Sequence, residues 1–484
     1  MSGKTGDDVV DHVLEGPSWR HWSQRVRRGL GRMAATSAGL TALLGSGFLG
    51  LQLTDSRSPW AADSAASSLA QMSGALILVQ SFRGDPGRNV PLLWTERLGV
   101  KPATDLWRRF GRSIWWQAWS QDGDPFLILQ GSTLPDEIKA LQRQQVGSLE
   151  VFASDPLHRQ QLLQRLNSHQ VSHPLVAPES LFGSCFQALG EGPGVFWSAD
   201  ALATLSGTLA PLLQQGREGC VQLQLQSDQL LWKGVIGRRP LSSVTQRRSV
   251  LSSGFVDADS DAMSSDQSLL RIDGQRLDLI LGTLLSRQII QAPLEEHYGI
   301  SAAMRSKIAD LPFAMRLQSR AGGVYKAGLQ LQLPLRGQRQ QWISILDAVS
   351  DRLRTRGFEQ RPPGADASAP ETRILFYRSD DAKKNILGGW EIIQGQKMAV
   401  LSIGLGAEPA SQSFLGPQLA RPAPALRITV APERLKELGL LGGRWPQPVQ
   451  RATILKMSIN PLIGSGARPS WWRFSGSLTL KPAS

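Results

Sequence analysis

The chain has few of the residues that most often carry enzyme chemistry, because its 484 residues include only six His and two Cys. It contains no Gly-x-Ser-x-Gly nucleophile motif and no zinc-protease helix motif, which excludes the common forms of those two enzyme classes. His169 and His173 have the spacing of metal ligands on a helix, but Pro174 takes the residue before it out of the helical region. We therefore predict no catalytic residue, no cofactor and no metal site.

The scarcity of cysteine limits the chain to one disulfide, between Cys185 and Cys220. The sequence leaves two interpretations open, a disulfide in an exported protein and two small buried thiols. Spacing alone does not show whether the two sulfur atoms meet, so neither interpretation is excluded.

Long apolar runs are also scarce, and the single run of membrane-spanning length is Met33–Leu53. As a helix its uncharged residues extend about 30 Å, the thickness of a bilayer core. Arginines crowd the segment before it, and acids follow it, which predicts one transmembrane helix with a cytoplasmic N-terminus. The main region would then be periplasmic or lumenal, on a plasma or thylakoid membrane. A cleaved export signal and a buried soluble helix remain alternatives.

Small residues recur every fourth position of this run, and on a helix they form one stripe. Such a stripe lets a second transmembrane helix approach closely. We predict a helix-packing stripe here, with ordinary signal-segment composition as the alternative. The stripe consists of Ala34, Ala38, Ala42, Ser46 and Gly50.

The chain carries a net charge of +13 but no basic run long enough to locate a binding patch. The predicted export argues against nucleic acid as the partner. The remaining anionic partners are lipid headgroups, acidic glycans and an acidic face of a membrane or envelope protein. Scattered charge that only aids solubility is the alternative interpretation.

Alternating hydrophobicity and turn residues predict an α+β chain with mostly antiparallel sheet, built from repeated strand–helix–hairpin modules. In one module Asp273-Gly274-Gln275 is predicted to begin the helix, and in another Pro432 stands in the first helical turn. The first strands of the three modules are Gly194–Trp197, Leu269–Ile272 and Leu426–Val430.

Composition divides the chain into a tail, an anchor, a tether and three α+β regions separated by two linkers. The linkers are rich in Ser and Asp or in Pro and Ala. The predicted divisions are 1–32 tail, 33–53 anchor, 54–73 tether, 74–251 first region, 252–268 linker, 269–360 second region, 361–372 linker and 373–484 third region.

Tryptophan is frequent, with fifteen residues. On a strand, Trp115 and Trp119 project to one face and Trp116 to the other, so they form either core or a ligand surface, and core is favoured. Trp471 and Trp472 must also point to opposite sides, so one of them is expected to be exposed. With Arg468 and Arg473 beside them, these residues are a candidate contact with an anionic or membrane surface.

The run LGVKPATDLWRRFGRSIWWQAWSQDGDPFLILQ, residues 98–130, has a Leu-Gly-Val turn, an Asp-Leu pair, an aromatic-Gly pair and two strands. In these features it resembles a bacterial family of unknown function that is frequent in cyanobacteria. Members of that family have one N-terminal membrane segment and a large exported region, and the resemblance covers most of residues 70–480. It implies the same architecture, supplies no catalytic residue that could be carried over, and leaves the activity open.

These observations predict a membrane-anchored exported protein that binds or scaffolds an envelope or membrane component without catalysing a reaction. Two alternatives stay open. One is a hydrolytic enzyme with a site between modules, and the other is a carrier for lipid or another hydrophobic ligand.

Overall fold

A computed structural model describes most of the chain after Pro59. The described residues are 59–121, 124–131, 143–170, 180–201, 216–237, 268–285, 288–298, 300–322, 325–337, 339–361, 373–378, 385–394, 398–415, 424–441, 447–462 and 471–481. The predicted tail and anchor, with the whole small-residue stripe, lie outside these ranges. None of the described helices is long and apolar enough to cross a membrane.

The fold is α+β, as predicted. The strands are β1 Leu78–Arg83, β2 Ile114–Trp119, β3 Phe126–Gln130, β4 Arg143–Val146, β5 Leu149–Phe152, β6 Gly194–Trp197, β7 Glu218–Gln226, β8 Gln229–Gly237, β9 Ser268–Gly274, β10 Phe313–Ser319, β11 Ala327–Pro334, β12 Phe358–Gln360, β13 Ile374–Arg378, β14 Gly388–Gln394, β15 Ala399–Leu405, β16 Leu426–Val430, β17 Ala452–Pro461 and β18 Trp471–Leu480.

The described helices lie between these strands. They are α1 Pro59–Met72, α2 Leu92–Leu98, α3 Val100–Phe110, α4 Pro156–Gln170, α5 Leu181–Glu191, α6 Asp278–Leu285, α7 Gln288–Tyr298, α8 Ala302–Ala309, α9 Arg339–Thr355, α10 Pro432–Glu437 and α11 Gln447–Gln450.

The eighteen strands of the described ranges form one sheet, and every described pairing is antiparallel. The pairings give the order β4-β5-β3-β2-β1-β6-β7-β8-β18-β17-β16-β9-β10-β11-β15-β14-β13-β12. The sheet therefore runs without a break through the three predicted regions. The predicted linkers at 252–268 and 361–372 fall almost wholly outside the described residues.

The strands of the three predicted modules are present as β6–β8, β9–β11 and β16–β18, and β1–β3 with α2 and α3 have the same order. One prediction about these modules was wrong. Asp273 and Gly274 do not begin a helix but end β9, and α6 begins only at Asp278. Asp273 stays in the sheet because it pairs with β10 on one side and β16 on the other.

The two sides of the sheet are covered differently. Residues directly opposite each other on neighbouring strands project to the same face of a sheet. We call face A the side that carries Cys220, Lys233 and Asp273, and face B the side that carries Trp232 and Ile272. In the first half, α1, α4 and α5 cover face A, and α2 and α3 cover face B. In the second half, α6, α8 and α9 cover face B.

The halves of the chain meet where β8 pairs with β18, and glycines let two aromatic rings pack across this junction. Trp232 lies opposite Gly476, and Phe474 lies opposite Gly234. A Cβ atom on Gly476 would come within 2.5 Å of the Trp232 ring, and one on Gly234 within 2.8 Å of Phe474. Side chains at these glycines would therefore displace the rings that join the halves.

Cys185 on α5 and Cys220 on β7 form a disulfide, with their Cα atoms 6.0 Å apart. Both residues are buried in the face A core, which α5 shares with β6 and β7. The structure thus contains the bridge that the sequence left open.

Two tryptophans of β2, Trp115 and Trp116, are core residues, and Trp119 is partly buried. Trp115 packs on face B against Phe82 and Trp94, whereas Trp116 lies in the core of face A. The expectation of an exposed aromatic at the start of β18 was wrong, because Trp471 is 3% exposed and Trp472 is 7% exposed. Trp471 fits against Gly237, whose missing side chain leaves room for the indole. Arg473 is exposed, and Arg468 lies outside the described residues.

Candidate anion-binding face

A row of polar side chains crosses the middle of the sheet on face A. Each residue lies directly opposite the next on a neighbouring strand, so all of them project to the same side. From β7 to β9 the row is Gln222, Lys233, Ser475, Ser458, Arg427 and Asp273. The apolar residues of the same strands point to face B. Trp232, next to Lys233, and Met457, next to Ser458, are examples.

A second row runs beside the first, two residues along each strand. From β18 to β11 it consists of Ser477, Lys456, Thr429, Arg271, Arg316 and Gln330. The two rows together carry five cations, Lys233, Lys456, Arg271, Arg316 and Arg427, against one acid, Asp273. Cationic side chains therefore gather on this part of face A. We name these five cations with Asp273 the basic strip.

All five cations of the basic strip are half-buried. Burial lowers the pKa of Lys233, although Glu191 on α5 acts in the opposite direction. Burial and the neighbouring Arg271 also lower the pKa of Arg316. These lowered pKa values mean that the charged forms of Lys233 and Arg316 are less favourable in the folded chain than in water.

Asp273 is the acid at the centre of the arginines. It is 2% exposed, and its Oδ2 accepts a hydrogen bond of 2.7 Å from Arg271 Nε. Its buried Oδ1 has no hydrogen-bond partner in the described structure. Burial raises the pKa of this carboxyl group, while Arg271, Arg316 and Arg427 each lower it by a smaller amount. The protein therefore disfavours the charged form of Asp273 despite three guanidinium groups nearby.

The segment that follows β15 forms one side of the basic strip. The Arg316 guanidinium lies 4.0 Å from the centre of the Phe414 ring, a cation–π contact. The backbone N–H of Phe414 donates to Gln332 Oε1 at 2.8 Å, and Gln332 Nε2 donates to the carbonyl of Gln412 at 2.9 Å. Gln332 thereby fixes the segment that orients Arg316.

The first polar row continues past Ala314 and Gln332 to Ser402 and Glu391 at the far end of face A. Glu391 is 3% exposed, and its nearest described cation is Arg373, whose Nε lies 3.9 Å from Glu391 Oε2. Burial raises the pKa of Glu391, and Arg373 opposes that shift. At this end of the row an acid and a cation face each other, whereas cations predominate at the basic strip.

Of the residues singled out from the sequence, Arg473 alone adds to this surface. It is exposed and shares face A with Ser475, two residues along β18. The described residues contain no group of three or more side chains able to hold a metal ion. His173 lies outside them. Sequence reasoning missed the five cations because each is an isolated charge within an alternating strand.

Comparisons with protein-family models, with curated proteins and with solved structures find no match.

Proposed function

We propose that this chain is a membrane-anchored, exported binding module that holds an anionic component of the membrane or envelope on the basic strip. The observation that supports the proposal is the gathering of five half-buried cations on one face of neighbouring strands. Binding and scaffolding account for this arrangement without a catalytic group.

The position of the cations favours binding over a role in solubility. Charges that only keep a protein soluble lie exposed, where they stay hydrated and lose no solvation free energy. Here the strands instead bring cations together in a partly buried strip, where desolvation works against Lys233 and Arg316. An anionic ligand would offset that cost by supplying opposite charge.

The proposed location outside the cytoplasm rests on two features. One is the uncharged run Met33–Leu53 with arginines before it. The other is the disulfide between Cys185 and Cys220, since such bonds persist in oxidising compartments. Together they support a chain with one anchor and an exported sheet.

The test uses the full-length chain extracted from membranes with detergent. The preparation itself checks the anchor, because an anchored chain is released by detergent and not by high salt. Binding is then measured against fluorescent polyphosphate, polygalacturonate and neutral dextran. We expect both polyanions to bind and dextran not to bind, with affinity falling as salt rises.

The variant R427Q/K456Q should weaken polyanion binding by about tenfold or more, since hydrogen bonds to charged groups each contribute about 1.5–3 kcal/mol. The matched control K307Q/R354Q removes the same charge from α8 and α9, which cover face B. Equal binding by both double variants, or no binding of either polyanion, would contradict the proposal.

A further inference from the structure

The strands of the first half of the sheet have two distinct ends. β1 ends at Arg83, which lies opposite Ile114, the first residue of β2. Gln130 and Leu149 pair at the same end of β3 and β5, because neighbouring strands are antiparallel. We call this the Arg83 end of the sheet. The opposite end, where β2 stops at Trp119, is the Trp119 end.

Helix α1 runs from the Arg83 end towards the Trp119 end. Ser68 Oγ accepts a hydrogen bond of 3.0 Å from the backbone N–H of Ser148, which directly precedes β5. Farther along the chain, the backbone N–H of Ile77 donates to the carbonyl oxygen of Trp119 at 2.8 Å. The first residue of α1 comes before Ser68, so the helix begins at the Arg83 end of the sheet.

The chain between the proposed anchor and α1 is short. Only residues 54–58 separate Leu53 from Pro59, where α1 begins. A fully extended chain covers at most about 3.6 Å per residue, so this interval reaches about 20 Å at most. The anchor therefore holds the Arg83 end, rather than the Trp119 end, next to the bilayer. This step rests on the proposed function, because it uses the anchor.

Three exposed arginines, Arg108, Arg109 and Arg112, lie at the Arg83 end, and we name them the arginine cluster. Two of them are in the last turn of α3, and the third directly precedes Ser113. The backbone N–H of Gly84, the residue after β1, donates to the carbonyl oxygen of Ser113 at 3.2 Å. This bond holds the end of α3 beside the end of β1.

The arginine cluster makes no ion pair with any carboxylate of the described residues. Asp85, in the loop after β1, pairs instead with Arg88 at 3.3 Å. Asp105 is the one acid of α3, and it has no ion pair with the cluster. Cations in the last turn stabilise a helix through its dipole, but Arg112 lies past that turn. The cluster is therefore available to an anionic surface outside the protein.

We infer that the arginine cluster docks the Arg83 end of the sheet onto anionic lipid headgroups of the bilayer that holds the anchor. Exposed cations gain from every anionic headgroup within a Debye length. The short connection to the anchor keeps the same bilayer at high effective concentration. The contact is separate from the basic strip, which lies on face A, whereas α3 covers face B.

The test places the full-length chain in nanodiscs of phosphatidylcholine, with or without phosphatidylglycerol. A fluorophore is attached to S113C at the Arg83 end or to V100C at the other end of α3, about 15 Å away. The native cysteines form a buried disulfide, so the label is specific. Lipids with a nitroxide headgroup should quench S113C more strongly in anionic than in neutral discs, and V100C equally in both. Salt should remove the difference.

Charge variants then assign the contact. In R108Q/R109Q/R112Q the S113C label should be quenched in anionic discs only as much as in neutral ones. K307Q/R354Q/R356Q removes the same charge from α8 and from α9 with the residue just after it, and should leave the quenching unchanged. If the triple variant does not fold, R112Q is compared with K101Q, at the other end of α3. R112Q should reduce the anionic attraction about fivefold and K101Q much less.

The outcomes separate this inference from the proposed function. A chain that does not enter nanodiscs would remove both the anchor and the docking. If the chain enters but S113C is quenched equally in both kinds of disc, the docking is wrong, while polyanion binding by the basic strip is unaffected. Loss of the quenching difference in R427Q/K456Q, with the arginine cluster intact, would also overturn the assignment.

Discussion

At the scale of single residues, the junction between β8 and β18 depends on two glycines as much as on two aromatic rings. Trp232 and Phe474 each cover a glycine on the opposite strand. The missing side chains allow the rings to pack close to the backbone of the opposite strand, which buries apolar surface without opening a gap. The same exchange recurs at Gly237, where Trp471 occupies the space of the absent Cβ.

Replacing Gly476 by Ala should lower the free energy of unfolding by about 1–3 kcal/mol, the usual cost of overpacking a filled core. The new methyl group would contact both the Trp232 ring and the carbonyl oxygen of Lys456. Chemical unfolding followed by tryptophan fluorescence measures the loss. G322A is the matched control, because no atom lies within 4 Å of its added Cβ. Equal stability of the two variants would show that the ring has room to move.

At the scale of elements, helix α4 has a cap whose charge depends on pH. Asp155 precedes the helix, and its Oδ1 accepts a hydrogen bond of 3.0 Å from the backbone N–H of His158. Its Oδ2 lies 2.5 Å from His158 Nδ1. The backbone and side chain of His158 lower the pKa of Asp155 to about 2. Helix α5 has a neutral cap instead, since Ser180 Oγ accepts from Gly183 N–H at 2.9 Å.

The Asp155 cap should protect the first turn of α4 at neutral pH and fail in acid. The folded pKa lies below the ordinary value of 3.8, so the benefit is present above pH 3.8 and is lost as the pH falls towards 2. In D155N the amide still caps the helix, but this pH dependence should be absent. Hydrogen exchange of α4 amides at pH 6, 4 and 2.5 measures the difference, with the α5 amides as internal control. Identical profiles for α4 in both chains would refute the assignment.

Alternation along the sequence was enough to predict many elements, and β2 and β16 have the predicted bounds. It was not enough to predict the candidate site. Arg316 and Arg427 look like ordinary solvent-facing positions of amphipathic strands until β9 is placed between β10 and β16. Asp273 resembled a helix cap because Asp-Gly is typical of turns. Strand order and register determine which of these side chains come together, and the local sequence specifies neither the order nor the register.

At the scale of the whole molecule, the sheet joins segments far apart in the chain. The predicted regions were drawn from composition, yet β8 of the first pairs with β18 of the third, and β9 of the second pairs with β16 of the third. The core of face A in the first half also includes Leu462 and Trp471 from the end of the chain. Stability of one part should therefore depend on the others.

Cutting the chain between Gly237 and Ser268 should leave the two pieces associated. The β8–β18 pairing spans Trp471–Gly237 to Thr479–Gln229, and Trp471 is buried in the core of the other piece. A protease site is inserted in this interval, and the chain is cleaved without denaturant. Size-exclusion chromatography in detergent then measures whether the two pieces co-elute, as we expect. The same cut in G234A/G476A should release the pieces or weaken their association, because both ring–glycine contacts are lost. Separation of the native pieces would mean that the junction holds only through the covalent chain.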